Sequence, residues 1–284
     1  MNSELIVSLM EDIGSVEPPG CVNEYIEHPN PLYQHKECVE VGFMMEHRFA
    51  FHYWIKCKQT LQKDRHTKEL IDDERFMPPD LVTWDWHDDC GADSDIMEER
   101  LAVLNQADEQ EVGLYSWAGL CQLNDGQILP AVWLNALGNV YIVQKQKQDC
   151  LYENRTLKDR YGHEHQIFYF RSLKHFPKTF ERTHTGAGVI WDIDLDFFTN
   201  GRKVSGQSYT AALSATKIEA MLSPNTSWMP LILRNLKAIT IALEPDFTGG
   251  LSVSLELYRH WESALFAKPL FSKKCRWRKG VLKV

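Results

Sequence analysis

The sequence predicts a single α/β domain in which a mostly parallel sheet lies between two layers of helices. Two observations support this fold class. Short apolar runs rich in β-branched and aromatic residues alternate with segments of helical periodicity, and three of the runs end in acidic residues. Strands that are buried on both faces have this near-continuous apolar character. A chain of 284 residues is long enough to bury the core of such a domain.

Six apolar runs are predicted strands, because charged or turn-forming residues bound them. In chain order they span residues 39–45, 81–84, 139–143, 166–171, 188–196 and 237–244. The prolines Pro78 and Pro79 mark the start of the second strand. The fourth strand is expected at an edge of the sheet.

Helices are predicted where apolar residues recur at intervals of three or four. They cover residues 48–62, 94–104, 209–221 and 256–266. Ser94 is a suitable N-cap for the second of them. Strands and helices that alternate in this way are typical of a doubly wound fold, which is a three-layer α/β/α arrangement.

The domain organisation expected from turn-forming residues is simple. Residues 1–38, which contain Pro18-Pro19-Gly20, are expected to form an irregular N-terminal arm, and residues 39–284 the α/β domain. Residues 145–165 are polar and are expected at the surface. The sequence carries no signal for an oligomeric state.

Composition excludes several classes of function. A net charge of −8 argues against a nucleic-acid partner, because phosphate contacts need clustered lysine and arginine. The seven cysteines include no Cys-x-x-Cys pair, which argues against a zinc ribbon or a dithiol redox motif. The N-terminus lacks the pattern of a signal peptide, and no apolar run approaches the roughly 18 residues of a membrane span. We therefore expect a cytoplasmic protein with reduced thiols and no membrane partner.

One predicted strand is followed by Asp85-Trp86-His87-Asp88-Asp89. On an extended chain the side chains of Asp85, His87 and Asp89 would point to one side, since the period of a strand is two. Binding sites of open α/β sheets lie outside the carboxyl ends of the strands. Two carboxylates and an imidazole at this edge predict a site for divalent metal ions.

A second acidic motif, Asp192, Asp194 and Asp196, has the same alternating spacing. His47 and Glu244 end two further predicted strands. A solvated acidic loop is the alternative interpretation of either motif alone. With four strand ends involved, however, burying so many carboxylates together is unfavourable by several kcal/mol unless cations neutralise them.

The types of ligand indicate which metal is expected. Several carboxylates and two imidazoles, with no nearby thiol except Cys90, favour a harder ion such as Mn²⁺ over structural zinc. Five or six ligands suit two ions about 3.5–4 Å apart that share a carboxylate and activate a water molecule.

The two acidic motifs together resemble the ureohydrolase superfamily of arginases and agmatinases, whose fold is shared with histone deacetylases. Asp85, His87 and Asp89 match its Asp-Ala-His-Ala-Asp motif. Asp194 and Asp196 match its Ser-x-Asp-x-Asp motif, although the Asp-Pro that closes that motif is missing here. The regions of resemblance span about residues 39–250 and imply an arginase-like fold.

Two further regions carry the resemblance. Glu46-His47 is similar to the Gly-Gly-Asp-His metal motif, without its glycines. Asp192 stands at the serine position of the second acidic motif, and whether it binds metal is left open. Glu244, which precedes Pro245, matches the glutamate that holds the guanidinium group of the substrate.

The resemblance implies a two-manganese hydrolase. The implied metal ligands are His47, Asp85, His87, Asp89, Asp194 and Asp196. Water activated between the ions is expected to attack the guanidinium carbon, with Asp89 or Asp194 accepting its proton. The sequence of residues 191–198, together with residues 244–250, is similar to a divergent branch that includes peptide arginases. These convert arginine to ornithine within precursor peptides, so the expected partner is an arginine-containing peptide.

Arginases also carry a proton-shuttling histidine soon after the Asp-x-His-x-Asp motif, but no histidine lies between His87 and His163. His163 or His165 is the candidate for this role, and a surface position is the alternative for each. Three other functions stay open. They are hydrolysis of a free small guanidine, amide hydrolysis of the zinc deacetylase type, and peptide binding without catalysis.

Overall fold

The computed structural model describes residues 18, 20–30, 38–63, 71, 73–91, 94–121, 124–145, 153–204 and 207–281. Twelve strands occur in these ranges. They are β1 (Val22–Glu27), β2 (Cys38–Met44), β3 (Asp80–Asp85), β4 (Val140–Gln144), β5 (Arg155–Lys158), β6 (Glu164–Phe170), β7 (Val189–Asp194), β8 (Thr199–Val204), β9 (Gln207–Ala212), β10 (Leu236–Ala242), β11 (Phe266–Lys268) and β12 (Arg276–Trp277).

Eight of these strands form one sheet, in the order β1-β2-β10-β7-β3-β4-β6-β5. The six inner strands are parallel to one another, and the two edge strands, β1 and β5, are antiparallel to their neighbours. The predicted mostly parallel sheet is therefore confirmed. Two details of the sequence-based prediction are wrong. Residues 22–27 of the expected irregular arm form an edge strand, and β6 is an inner strand because β5 pairs with its outer side.

The helices are α1 (Ala50–Gln62), α2 (Ser94–Ala102), α3 (Glu109–Leu114), α4 (Ile128–Trp133), α5 (Phe176–Thr183), α6 (Ala215–Met221), α7 (Met229–Arg234), α8 (Pro245–Thr248) and α9 (Leu251–Leu265). The prediction of a helix over 209–221 is wrong in its first part. Residues 209–212 belong to β9, which pairs with β8 in a separate hairpin, and the helix begins only after the extended Ser214.

Two apolar clusters, one on each face of the sheet, form the core. On one face α1 and α4 pack against strand residues that include Leu81, Ile142 and Ile190. On the other, α5, α6 and α9 pack against residues that include Trp84 and Trp191. The inner strands alternate between the two clusters, as expected for a sheet covered on both sides. This arrangement is consistent with three α/β/α layers.

Helix α1 approaches the sheet closely at Gly42 of β2. A Cβ atom on Gly42 would lie 2.4 Å from the ring of Tyr53, so that this position accepts only glycine without a shift of the helix. The close approach places α1 over β2 and β10, the strands that His47 and Glu244 follow. In the described ranges, no helix combines the length and the apolar character needed to cross a bilayer.

Candidate metal centre

The predicted site residues of four neighbouring strands meet at the carboxyl edge of the sheet. His47 follows β2, Asp85 ends β3, Asp194 ends β7, and Glu244 follows β10. These strands are adjacent in the sheet order β2-β10-β7-β3. Parallel neighbours bring their carboxyl ends to one edge, which explains why residues almost 200 positions apart in sequence touch (|i−j| = 197 for His47 and Glu244).

The first group of possible metal ligands is centred on His47. Its Nδ1 atom lies 2.6 Å from Asp89 Oδ2, 3.2 Å from Asp85 Oδ2 and 3.6 Å from Asp194 Oδ2. All four side chains are buried. His47, Asp85 and Asp89 offer ligand atoms that lie within 4.8 Å of one another, which is close enough for one ion to contact all three.

The second group consists of Asp85, His87 and Asp196, whose ligand atoms also lie within 4.8 Å of one another. His87 Nδ1 is 3.3 Å from Asp196 Oδ2 and 3.6 Å from Asp85 Oδ1. The two groups therefore share Asp85, which turns one oxygen toward each histidine. The His87 side chain is 33% exposed, so this half of the site opens to the surface.

The chain after β3 does not continue as an extended strand, contrary to the sequence-based expectation. Asp85 is the last strand residue, and its Oδ1 accepts a hydrogen bond from the His87 backbone N at 2.7 Å, which closes a tight turn. The Trp86 backbone N donates to Asp196 Oδ1 at 3.0 Å. Asp89 then adopts φ 51°. The three predicted ligands do converge, but they do so through a bend that divides them between the two groups.

Backbone strain is concentrated at this site. Among the described residues, the non-glycine positions with positive φ are Asp89, Asn124, Asn135 and Glu244. Three of these four belong to the site, because Asn124 Nδ2 donates to Glu244 Oε2 at 3.1 Å. The other oxygen of Glu244 accepts a hydrogen bond from the His47 backbone N. Non-glycine residues in this conformation cost about 1–3 kcal/mol each and are commonly found at functional sites.

The carboxylates are too crowded to ionise together. Burial, followed by repulsion from Asp85, raises the pKa of Asp89 well above its ordinary value. Burial and repulsion from Asp196 and Asp85 do the same for Asp194. Burial raises the pKa of Glu244 to about 7. Acidic groups with these shifts would bind a cation in place of protons.

The histidines show the opposite response to the same charges. Burial works to lower the pKa of His47, but the carboxylates of Asp192 and Asp89 outweigh it and raise the pKa well above the ordinary value. Burial is likewise outweighed for His87, whose pKa rises to about 11 through hydrogen bonds to Asp196 and Asp85. Protons on the histidines thus compensate the charge of the same carboxylates that a bound metal ion would neutralise. The donor set of imidazoles and carboxylates fits a divalent ion such as Mn²⁺.

Asp192 does not join either ligand group. Its Oδ2 lies 2.7 Å from Nε2 of His47, on the side of the ring opposite the ligand carboxylates. By position, Asp192 contacts the His47 ring and lies outside both groups of possible ligands.

His163 and His165 lie far from the cluster. His163 immediately precedes β6, and His165 is the second residue of that strand. Together with Pro78, Asn139 and Thr185 they line a cavity of about 230 Å³. These residues mark the amino ends of the strands, so that the length of a six-residue strand, roughly 17 Å, separates the two histidines from the acidic edge. The expectation that one of them shuttles protons in the site is wrong, because the histidines and the cluster lie at opposite edges of the sheet.

Several residues of the site were not singled out from the sequence. Gln127 Nε2 donates to Asp89 Oδ2, and Phe247, which is 40% exposed, packs edge-on against the His87 ring at 5.5 Å. Lys145 follows β4, and its Nζ donates to Thr199 O at 3.1 Å. Burial lowers the pKa of Lys145 to about 8, against the influence of Asp196. The strand-end rule would have found Lys145, since residues 139–143 were already a predicted strand.

A scan against models of protein families and a comparison with curated proteins both find no match for this chain.

Proposed function

We propose that this chain is a manganese-dependent hydrolase that acts on the guanidinium group of a peptidyl arginine. The reaction releases urea and leaves ornithine in the peptide. The observation that carries the proposal is the pair of ligand groups that share Asp85, one centred on His47 and the other on His87. A shared carboxylate between two ligand sets is what a two-ion site requires.

The metal ligands follow from these groups. His47, Asp85, Asp89 and Asp194 would hold one ion, and Asp85, His87 and Asp196 the other. Two such ions, when bound, would polarise the substrate and lower the pKa of a water molecule. The remaining steps of the reaction depend on groups that the chain itself supplies.

Glu244 is the group that would hold the guanidinium. It is buried next to the ligand cluster, and its two oxygens are fixed by the His47 backbone and by Asn124. A carboxylate matches the planar fork of a guanidinium and forms charge-assisted hydrogen bonds with it. This contact orients the guanidinium carbon toward water. Addition of one water molecule and cleavage of one C–N bond then release urea and leave the ornithine amine.

The departing amine needs a proton, and we assign its delivery to Lys145. The Lys145 backbone N donates to the main-chain carbonyl of Asp85 at 3.3 Å, so the two residues are neighbours at the carboxyl edge of the sheet. A pKa of about 8 leaves the ammonium populated at neutral pH yet able to release its proton. Lys145 thus takes the role expected of His163 or His165, which lie at the opposite edge of the sheet.

Access to the cluster suits a substrate that continues beyond the guanidinium. His87 is partly exposed, and the neighbouring Phe247 ring is exposed at the surface beside it. An extended peptide could therefore lie outside the sheet edge while one arginine side chain enters. The one-zinc deacetylase alternative accounts less well for a second ligand group around His87.

Metal analysis combined with urea assays tests the proposal. Purified protein loaded with Mn²⁺ should retain two ions per chain and release urea from an arginine-containing peptide faster than from free arginine. Asp194→Ala should abolish urea release and lower the bound manganese. Full activity in that variant, or no urea from any guanidine, would overturn the assignment.

A further inference from the structure

A row of polar side chains crosses three neighbouring strands next to the candidate metal centre. In the sheet register Asp192 of β7 is flanked by Thr83 of β3 on one side and Thr240 of β10 on the other, and Thr240 is followed by Gly42 of β2. All three polar side chains are buried. A row of this kind inside an apolar core is unfavourable unless every member is hydrogen-bonded.

The hydroxyl groups of both threonines in the row donate to Asp192. Thr83 Oγ1 donates to Asp192 Oδ2 at 2.7 Å, and Thr240 Oγ1 donates to Asp192 Oδ1. Trp54 Nε1 of α1 donates to Thr240 Oγ1 at 3.3 Å. The close approach of α1 at Gly42 makes room for this last contact. Each oxygen of Asp192 thus accepts a hydrogen bond from one threonine, and Trp54 fixes the hydroxyl of Thr240 in turn.

The remaining partner of Asp192 is His47. Both oxygens of Asp192 already accept hydrogen bonds from the two threonines, and we therefore take Nε2 of His47 as a further donor in its 2.7 Å contact with Oδ2. The Nδ1 atom, which faces Asp85 and Asp89, is then the nitrogen whose lone pair is available when a cation replaces its proton. The contact with Asp192, on the far side of the ring from the ligand carboxylates, therefore sets both the orientation and the tautomer of His47.

We propose that Asp192 is a positioning residue that fixes the tautomer and orientation of His47 and thereby strengthens metal binding at the His47 group. It does not bind the ion. Carboxylates that hold the outer nitrogen of a ligating histidine raise its basicity, and their loss weakens metal affinity by about 10- to 100-fold. The inference rests on the proposed metal-binding function, but not on the identity of the substrate.

The fold provides a matched control at the other end of the same strands. Asp80 is also buried, and its Oδ2 lies 2.6 Å from Nδ1 of His184. It also accepts hydrogen bonds from Asn139 N at 2.8 Å and Thr185 Oγ1 at 3.2 Å. Asp80→Asn therefore alters an Asp–His contact of the same kind at the amino edge, where there is no ligand group among the described residues.

Mn²⁺ titration of Asp192→Asn, Asp192→Ala and Asp80→Asn, followed by the EPR signal of free Mn²⁺, tests the proposal. We expect both Asp192 variants to bind one ion about 10- to 100-fold more weakly, while Asp80→Asn binds as the wild type does. If the Asp192 variants fail to fold, Thr240→Val removes one donor to the same carboxylate. It should weaken the binding of the same ion, but to a smaller extent. Wild-type affinity in the variants that fold, or equal weakening in Asp80→Asn, would overturn the proposal.

A second readout does not depend on metal affinity. In protein with ¹⁵N-labelled histidine and Zn²⁺ as a diamagnetic probe, the His47 ring should show a slowly exchanging Nε2 proton in the wild type, with the signal assigned through His47→Gln. Asp192→Asn should shift that proton and Asp80→Asn should not. An Nδ1-protonated ring in the wild type would contradict the inference. Wild-type protein that binds metal but releases no urea would contradict the proposed function alone.

Discussion

Asp85 lies between the two histidines of the site and turns a different oxygen to each. Its Oδ2 is 3.2 Å from His47 Nδ1, and its Oδ1 is 3.6 Å from His87 Nδ1. Attraction to both histidines outweighs the effect of burial and holds the pKa of Asp85 below its ordinary value, whereas the pKa of the neighbouring Asp196 is raised. Asp85 thus favours its ionised form in the absence of metal, and it belongs to both groups of possible ligands.

This position predicts different metal stoichiometries for two single substitutions. Asp85→Ala removes a ligand from both groups and should leave less than one Mn²⁺ per chain after dialysis. Asp196→Ala removes a ligand from the His87 group alone and should leave about one ion per chain in the His47 group. Metal content measured by mass spectrometry of the dialysed protein distinguishes the two results.

Asp88→Asn provides the control for this comparison, since Asp88 lies in the same loop but in neither ligand group. It should keep the wild-type metal content. Equal losses of metal in the Asp85 and Asp196 variants would show that Asp85 is not shared.

Glu244→Gln tests the binding of the guanidinium. The substitution keeps the shape of the side chain but removes the charge that would pair with the substrate. Losing a charge-assisted hydrogen bond of about 1.5–3 kcal/mol should lower kcat/KM by roughly 10- to 100-fold. Because Glu244 is not a proposed metal ligand, the manganese content should stay unchanged. A parallel loss of manganese would instead make Glu244 a ligand.

The same residue predicts how activity depends on pH. A Glu244 pKa of about 7 means that the carboxylate form is a minority below that pH. KM for a guanidinium substrate should therefore fall as the pH rises through about 7, and this dependence should disappear in Glu244→Gln. Bound manganese would lower this pKa, so the measurement is best made as a function of metal concentration.

The positions of the strands and of the acidic residues could be predicted from the sequence because each depends on local patterns. Apolar runs mark buried strands, and an acid at the end of a run marks the carboxyl edge. The convergence of Asp85, His87 and Asp89 was predicted, but the reason given for it was wrong. A bend and the positive φ of Asp89 divide these residues between two groups, and a spacing of two residues contains no information about such a turn.

Individual contacts across the sheet could not be predicted, because they depend on the order of strands in the sheet. The distance of His163 and His165 from the cluster follows from their place at the start of β6, whose direction is fixed only by its parallel pairing with β4. The role of Asp192 depends on which strands lie beside β7 and bring Thr83 and Thr240 into register. A single sequence does not define that order.

Lys145→Met and Lys145→Arg test the source of the proton for the leaving amine. Methionine removes both charge and proton, while arginine keeps the charge but does not release a proton near neutral pH. If Lys145 is the general acid, both variants should lower kcat by about 100-fold or more. The wild-type activity should decrease as the pH rises through about 8, and this decrease should be absent in both variants. Retention of kcat in Lys145→Arg would limit Lys145 to an electrostatic role beside Asp196.

The stability of the metal-free protein should fall as the pH rises from 6 to 8. The pKa of Glu244 is raised from 4.5 to about 7, so the folded state holds a proton that the unfolded chain has lost, and stability from this group declines over that interval. The raised pKa values of Asp89 and Asp194 act in the same direction. The pKa of His87 is raised from 6.5 to about 11, so its contribution, complete below pH 6.5, also declines above it. Asp85, with a lowered pKa, loses its contribution only in more acidic solution.

Manganese should reverse this trend, because the cation replaces the protons that the crowded carboxylates and histidines otherwise retain. Thermal unfolding in EDTA should show a lower Tm at pH 8 than at pH 6, and Mn²⁺ should raise Tm by more at pH 8 than at pH 6. Asp85→Ala should abolish most of the manganese effect, while Asp88→Asn should keep it. A metal-free protein that is more stable at pH 8, or a Tm that does not respond to Mn²⁺, would show that these groups form no cation site.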